Sequence, residues 1–446
     1  MALTPQAPLA DDRPEQAFDD YKPALTPMAA VAEANRCLYC EDAPCVRACP
    51  THINIPEFIR KISTGNLKGS ARTIFDSNIL GLSCARVCPV EELCEGDCVY
   101  NALESPPIQI GRLQRHATDH AYEAGYTFYS AGADTGFSVG LVGGGPASLA
   151  AAHQLRRLGH AVTIYERAER LGGLNTTGVA PYKMRADKAI EEVDWVLGIG
   201  GIEVKLGVEI GRDISWSELE SRHDALFLGA GLGPDRLMRV PGANLPGVRG
   251  AVGFIEQMKL GAVDLKHVHH AVVVGGGNTA MDCVRELLGL GVGKVTLIYR
   301  RDAISMSGYT HEWDAAKKAG ASAIWSALPV AFEGEDRLRA VRVAYLNIDG
   351  SPVPDSEHSV PAELALLAIG QSRLGDLVAG LDGVTVDSGR VVVDASGFTG
   401  RAGLYAGGDC ANGGKEVVNA AAEGKAAANA ISAWLETRAQ KERPRV

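Results

Sequence analysis

The chain has 446 residues, 46% of them hydrophobic and 22% charged, with a formal net charge of −10. That length allows about two to four domains, with ample volume for buried cores. An acidic chain with no basic run argues against nucleic acid and anionic membranes as partners, and no apolar run approaches the roughly 18 residues a spanning helix needs.

The first stretch, Met1 to Pro23, is rich in Pro, Ala and Asp and lacks a basic-then-apolar order. It reads as an arm and not as a signal peptide. The expected compartment is therefore the cytoplasm, where reduced thiols serve as metal ligands more often than as disulfides. From Ala29 to Ala124 the pattern is mainly helical: Pro56–Ile62 and Gly69–Phe75 carry helical apolar spacing, and loops are expected to hold the cysteines.

Eight of the ten cysteines fall in this segment, in two tight runs. The first is Cys37-x2-Cys40-x4-Cys45-x3-Cys49-Pro50, the second Cys84-x3-Cys88-x5-Cys94-x3-Cys98. Iron–sulfur clusters take four ligands each, and bacterial ferredoxin runs end in C-x3-C-P with the last cysteine serving the other cluster. Two zinc sites that staple a docking module are the alternative. Structural zinc sites favour paired C-x2-C knuckles, and only Cys37/Cys40 has that spacing. Cys283 and Cys410 stand apart and read as small buried hydrophobes.

Tyr129 to Gly136 is a Gly/Ala/Ser linker, after which strands and helices alternate, as in parallel sheets with crossover helices. Two units repeat. The strand Val139–Val142 runs into Gly143-Gly144-Gly145-Pro146-Ala147-Ser148, a helix, and a strand ending at Glu166. Ala271–Val274 runs into Gly275-Gly276-Gly277-Asn278-Thr279-Ala280, a helix, and a strand ending at Tyr299-Arg300-Arg301. Both are dinucleotide fingerprints: glycines allow the tight turn and close backbone approach to a pyrophosphate, and the helix N-terminus faces the phosphates. Glu166 lies where an acid binds ribose hydroxyls, as a flavin adenine dinucleotide or NAD requires. Arg300 and Arg301 lie where arginine would fork a 2′-phosphate, which favours NADP(H), unless they sit on a solvated turn. Leu228-Gly229-Ala230-Gly231 and Ala368-Ile369-Gly370 are strand exits expected to wall the two sites. Gly407-Gly408-Asp409 follows a late apolar strand that looks like a return strand of the first domain, so the second nucleotide domain reads as inserted within the first.

The residues Cys37-Leu-Tyr-Cys40-Glu-Asp-Ala-Pro-Cys45-x3-Cys49-Pro-Thr, then Leu80-Gly-Leu-x-Cys84-x2-Val87-Cys88-Pro, then Ile110-Gly-x-Leu-Gln114, resemble dihydropyrimidine dehydrogenase over almost the whole chain. The family's FMN barrel and second ferredoxin-like segment are missing. The chain is thus similar to the small, electron-input subunit of the two-subunit bacterial enzyme. The glutamate synthase small subunit shares the architecture without the Ile-Gly-x-Leu-Gln element.

The resemblance implies one [4Fe-4S] cluster on Cys37, Cys40, Cys45 and Cys98. It implies a second on Cys49, Cys88, Cys94 and Gln114, with Cys84 a bystander. For FAD it implies Val87, Gly143 to Ser148, Glu166 with Arg167, Leu171-Gly172-Gly173-Leu174, Lys183 in place of a family arginine, and Gly407 to Asp409. For the nicotinamide coenzyme it implies Gly277, Asn278, Thr279, Arg300 and Arg301, beside Gly275 and the Ala368–Gly370 exit. A later arginine of NADPH-using members is replaced near Ser307, and bacterial two-subunit forms are often NADH-linked. The expected fold is a mainly α N-terminal iron–sulfur domain (1–130), then two α/β Rossmann-like domains, the second inserted in the first: FAD on 131–262 and 376–446, NAD(P)H on 263–375. The expected partner is an FMN- and iron–sulfur-bearing subunit that reduces uracil or thymine.

Overall fold

The computed structural model describes residues 8–442; the first seven residues of the expected arm and the last four of the chain lie outside the described residues. The N-terminal domain is a helical cluster. In the helix Ile55–Ser63 the Asn54 side chain accepts from Glu57 N, and Pro56 occupies the first turn. Its positions Ile55, Phe58, Ile59 and Ile62 are all at most 2% exposed, the i, i+3, i+4, i+7 stripe of a buried helix face. Asn66 caps the helix Leu67–Ser77 in the same way. The helices Gly81–Val87 and Ile110–Glu123 pack on one another to complete the domain. Not every cysteine is in a loop: Cys45 lies in the short helix Pro44–Ala48 and Cys84 within Gly81–Val87.

The linker after this domain is stitched down. Gly132 N donates to Arg156 O at 2.8 Å, Tyr129 OH to Asp76 Oδ1 at 2.9 Å, and the Arg157 guanidinium lies 4.4 Å from the Tyr129 ring centre. Composition could not show this, because the partners belong to elements on either side.

The strands that follow are, in order, β1 (Ser138–Val142), β2 (Ala161–Glu166), β3 (Ile202–Leu206), β4 (Ala225–Leu228), β5 (Val248–Gly250), β6 (His270–Val274), β7 (Lys294–Tyr299), β8 (Ser322–Trp325), β9 (Ala327–Glu333), β10 (Ala340–Tyr345), β11 (His358–Pro361), β12 (Leu364–Leu367), β13 (Val386–Asp387), β14 (Arg390–Val391) and β15 (Leu404–Ala406). One parallel sheet has the order β15-β4-β1-β2-β3, the other β5-β12-β6-β7-β8. β15 closes the first sheet after the whole second sheet has been traversed, so one nucleotide domain is inserted in the other.

The inserted unit begins earlier than the sequence reading places it. β5 pairs in parallel with β12, and the helix Ala251–Leu260 buries Ala251, Phe254, Ile255 and Met258 in the second domain's core. Residues 248–262 therefore belong with the second sheet and not with the first domain. A three-residue strand carries no readable alternation, which is why the boundary at 263 falls too late. The antiparallel sheet β11-β10-β9 is a further layer on the inserted domain.

In the first sheet the chain builds outward from β1 through β2 to β3 and then crosses to β4 on the other side; in the second it builds outward from β6 through β7 to β8 and then crosses back to β12, between β6 and the edge strand β5. The switch points fall between β1 and β4 and between β6 and β12, the place where open α/β sheets bind ligands. Among the described residues no helix is long and apolar enough to cross a membrane.

Candidate functional site

The first switch point is built from backbone. Gly143 has φ +93°, and a Cβ there would overlap the carbonyl of Gly229, so the fingerprint and the exit after β4 touch. Gly144 N donates to Glu166 Oε2 at 2.6 Å, which ties the turn to the end of β2. Gly172 N donates to Gly144 O at 2.8 Å, and Gly173, at φ +53°, lies against the Gly145 backbone. The turn Leu171–Leu174 is thus laid on the fingerprint, with Leu171 buried and Arg167 exposed. Beyond Gly145 the nearest atom to an added Cβ is 3.9 Å away, leaving the close approach a pyrophosphate needs. Ser148, fully buried, has an Oγ with no hydrogen-bond partner among the described residues. Gly408, at φ +74°, turns β15 into the helix Asp409–Asn412, and burial raises the Asp409 carboxyl above its ordinary range. The loop is braced by Glu423, which accepts from Gly408 N at 2.6 Å. Open glycine backbone, a buried unpaired hydroxyl and carboxylates at two strand ends fit a flavin adenine dinucleotide.

The second switch point repeats the plan. Gly275 has φ +146°, and a Cβ would overlap Ala368 O, which places Ala368-Ile369-Gly370 beside the turn. Gly277 faces open space, its nearest neighbour being Ser307 Oγ at 3.7 Å from an added Cβ. Arg300 and Arg301 are exposed; Arg301 Nε donates to Tyr299 OH at 2.9 Å. Sequence reasoning missed the flap at Ser305–Tyr309. Gly308 N donates to Gly276 O at 2.8 Å, Tyr309 N to Asn278 Oδ1 at 3.0 Å, and Tyr309 OH to Glu416 Oε1 at 2.9 Å. Asn278 is therefore engaged in holding that flap, while Thr279 sits half-buried beside it.

Lys183, expected to meet the flavin in place of a family arginine, is engaged by carboxylates of the inserted domain. Its Nζ lies 2.8 Å from Asp282 Oδ1 and 2.7 Å from Glu312 Oε1, both in the inserted domain. Those carboxylates overcome burial and hold the ammonium well above its ordinary range. The lysine fastens one nucleotide domain to the other.

In the helical domain the two runs interleave. Cys37, Cys40, Cys45 and Cys98 line one small cavity of about 30 Å³, walled by Ile55 and Ile59. Burial, then Cys37 and Cys98, pushes the Cys45 thiol up to about 12, and burial also raises Cys37. Cys88 rises through a hydrogen bond with Cys84, through burial, and through the nearness of Cys84, Cys94 and Cys49; Cys94 rises through burial, then Glu95, Cys49 and Cys45. Thiols crowded in apolar surroundings become thiolates when a cationic centre compensates them, the chemistry of an iron–sulfur cluster. Gln114 is 7% exposed, and its Nε2 donates to Gly81 O at 2.8 Å, leaving the amide oxygen as the end available to a ligand. Cys84 is buried beside Cys88 and accepts from Asn78 Nδ2 at 3.1 Å. Val87 ends the helix that delivers Cys88. Cys283 and Cys410 are buried, as expected of packing residues.

Comparison with known proteins matches the arrangement at both ends. Residues 14–126 match the family described as "Dihydroprymidine dehydrogenase domain II, 4Fe-4S cluster", and residues 137–424 match "Pyridine nucleotide-disulphide oxidoreductase". The NAD-dependent dihydropyrimidine dehydrogenase subunit PreT of Escherichia coli O157:H7 is 34% identical over 95% of this chain and 98% of its own. The glutamate synthase [NADPH] small chain of Halomonas elongata is 33% identical over 97% and 96%. Among solved structures, FprA of Mycobacterium tuberculosis in complex with NADPH superposes with a TM-score of 0.56 at 18% identity, covering 68% of this chain and 86% of that one. Lactococcus lactis thioredoxin reductase gives 0.54 at 21%, covering 68% and 99%. The chain belongs to the pyridine nucleotide-disulphide oxidoreductases that carry a dihydropyrimidine dehydrogenase-type 4Fe-4S domain, and is an NAD(P)H-dependent oxidoreductase using FAD and iron–sulfur chemistry.

Proposed function

We propose that the chain is the electron-input subunit of a dihydropyrimidine dehydrogenase. The overall reaction would be uracil or thymine plus NAD(P)H and a proton giving the 5,6-dihydropyrimidine and NAD(P)+. FAD and two [4Fe-4S] clusters would supply the redox chemistry, taking electrons in pairs and passing them on singly. The chain's own residues bind and orient. Gly143 to Ser148, Glu166, the Leu171–Leu174 turn and Gly407 to Asp409 would hold FAD. Gly275, Gly277, Thr279 and Arg300 with Arg301 would hold the coenzyme under the Ser305–Tyr309 flap. Cys37, Cys40, Cys45 and Cys98 would bind one cluster, and Cys49, Cys88, Cys94 and Gln114 the other. The reducing site for the pyrimidine would lie on an FMN-bearing partner.

The observation that carries this reading is Gln114: a buried neutral amide, anchored by its nitrogen to Gly81 O, on the helix packed against the one that carries Cys84 and leads into Cys88. A second reading, the glutamate synthase small chain, is supported by relatives of nearly the same identity. The test is to isolate the complex on a tag carried by this chain and supply NADH or NADPH. Uracil-dependent oxidation supports the first reading. Glutamine-dependent conversion of 2-oxoglutarate, without uracil reduction, overturns it.

A further inference from the structure

The cysteine domain and the first nucleotide domain meet at a buried polar chain that no cofactor assignment above includes. Glu192, on the helix Ala186–Leu197, is 1% exposed. Its Oε1 accepts from Leu82 N at 3.0 Å and Ser83 N at 3.1 Å, and its Oε2 accepts from Ser83 Oγ. Ser83 Oγ in turn accepts from Asn175 Nδ2 at 2.7 Å. Asn175 is 4% exposed, and its Oδ1 has no hydrogen-bond partner among the described residues. It directly follows Leu171–Leu174, the turn laid on the first fingerprint.

A buried acceptor without a donor costs about 1–3 kcal/mol. Here the orphan ends a chain whose other members are paired, at the edge of the flavin-binding turn. We propose that Asn175 is a flavin-ring contact whose Oδ1 accepts a ring N–H, and that Ser83 and Glu192 are positioning residues that fix the amide in that orientation. This rests on the reading that the first fingerprint holds FAD.

The direction of the chain is dictated. The carboxylate has no hydrogen to give, so Ser83 must donate to it. Ser83 is then left as acceptor, so Asn175 must present its N–H to Ser83 and its oxygen to the ligand. Glu192→Gln reverses this while keeping the shape. The two backbone N–H groups hold the glutamine oxygen, its nitrogen donates to Ser83, and the Ser83 hydrogen turns toward Asn175. The amide must then flip and offer a donor to a ring donor.

Burial raises the Glu192 carboxyl from its ordinary 4.5 to about 7. The charged and titratable groups around it are Arg86 from the cluster helix, which is bound to Asp119, with Tyr122 and Glu191 nearby. Above that pH the carboxylate fixes the chain; below it the protonated acid can donate to Ser83 and the order relaxes.

The experiment follows FAD release from diluted holoprotein by flavin fluorescence between pH 6 and 8. Asn175→Ala is expected to weaken FAD roughly tenfold, the equivalent of one lost buried hydrogen bond. Glu192→Gln is expected to weaken it comparably and to abolish the wild-type rise in affinity through about pH 7. In an Asn175→Ala background Glu192→Gln should add nothing further. Circular dichroism of each variant checks folding, and Ser83→Ala, expected to loosen FAD, gives a second route if Glu192→Gln does not fold. Wild-type affinity and pH dependence in Glu192→Gln, or effects that simply add, would overturn the relay. A wild-type protein that holds no FAD would instead overturn the reading on which it rests.

Discussion

A glutamine amide and a cysteine thiol stand at the same corner of the cysteine domain, and substitution separates their roles. Cys84 takes a hydrogen bond from Asn78 and packs beside Cys88. Cys84→Ala should keep the full iron content and both EPR signals. It should also lower stability by about 1–3 kcal/mol, because Asn78 loses its acceptor. Gln114→Ala should perturb one EPR signal and leave the other. Loss of iron on Cys84→Ala would reverse the assignment. The glycines of the second fingerprint divide just as sharply. Gly275→Ala collides with Ala368 O at a positive φ and should unfold the turn. Gly277→Ala meets only Ser307 Oγ at 3.7 Å, at an ordinary φ of −95°. It should melt like the parent yet raise the KM for NAD(P)H by at least about tenfold, since the methyl occupies the space a pyrophosphate needs. The same titration in both coenzymes, repeated on Arg300→Ala and Arg301→Ala, decides between NADH and NADPH.

The N-terminal arm shows what an element does that composition hides. Glu15 is fully buried, bound by Arg13 at 2.9 Å, and accepts from Ala186 N at 2.9 Å. Tyr21 N donates to Tyr182 O, and Arg285 lies 4.0 Å from the Tyr182 ring centre and 4.6 Å from that of Tyr21. Lys22 reaches Cys88 O at 3.2 Å, and Asp20 pairs with Arg115 at 2.7 Å. The segment is a strap across all three domains. Glu15→Ala strands the buried Arg13 guanidinium and should cost about 3–5 kcal/mol in denaturant unfolding. Sequence could show the two βαβ units, because strand, glycine turn and helix are contiguous there and their period is local. It could show the return to the first sheet through Gly407-Gly408-Asp409 for the same reason. The strap, the β5 boundary and the Ser305–Tyr309 flap depend on partners far along the chain. So does the Asn175–Ser83–Glu192 relay, in which Ser83 lies 109 residues from Glu192. Each of these residues is unremarkable among its sequence neighbours.

At the scale of the whole molecule, fasteners of this kind fix how the three domains face one another. Lys183 with Asp282 and Glu312 joins the two nucleotide domains, and Glu192 with Ser83 joins the first of them to the cysteine domain. An electron-input subunit, as proposed above, needs such rigidity to keep its two nucleotide sites and its cysteine cavity in fixed relation, and its pyrimidine-reducing site would lie on the partner. The isolated chain, loaded with FAD and iron, should therefore pass electrons from NAD(P)H to a one-electron dye such as ferricyanide while leaving uracil untouched. Lys183→Ala should separate the two halves of that activity. It leaves two buried carboxylates facing each other without their cation, a loss of about 3–5 kcal/mol. Electron entry from NAD(P)H should slow, whereas cluster reduction by dithionite, which bypasses the nucleotide domains, should stay at the parent level. Uracil reduction by the isolated chain would show instead that the reducing site is here and that no partner is required.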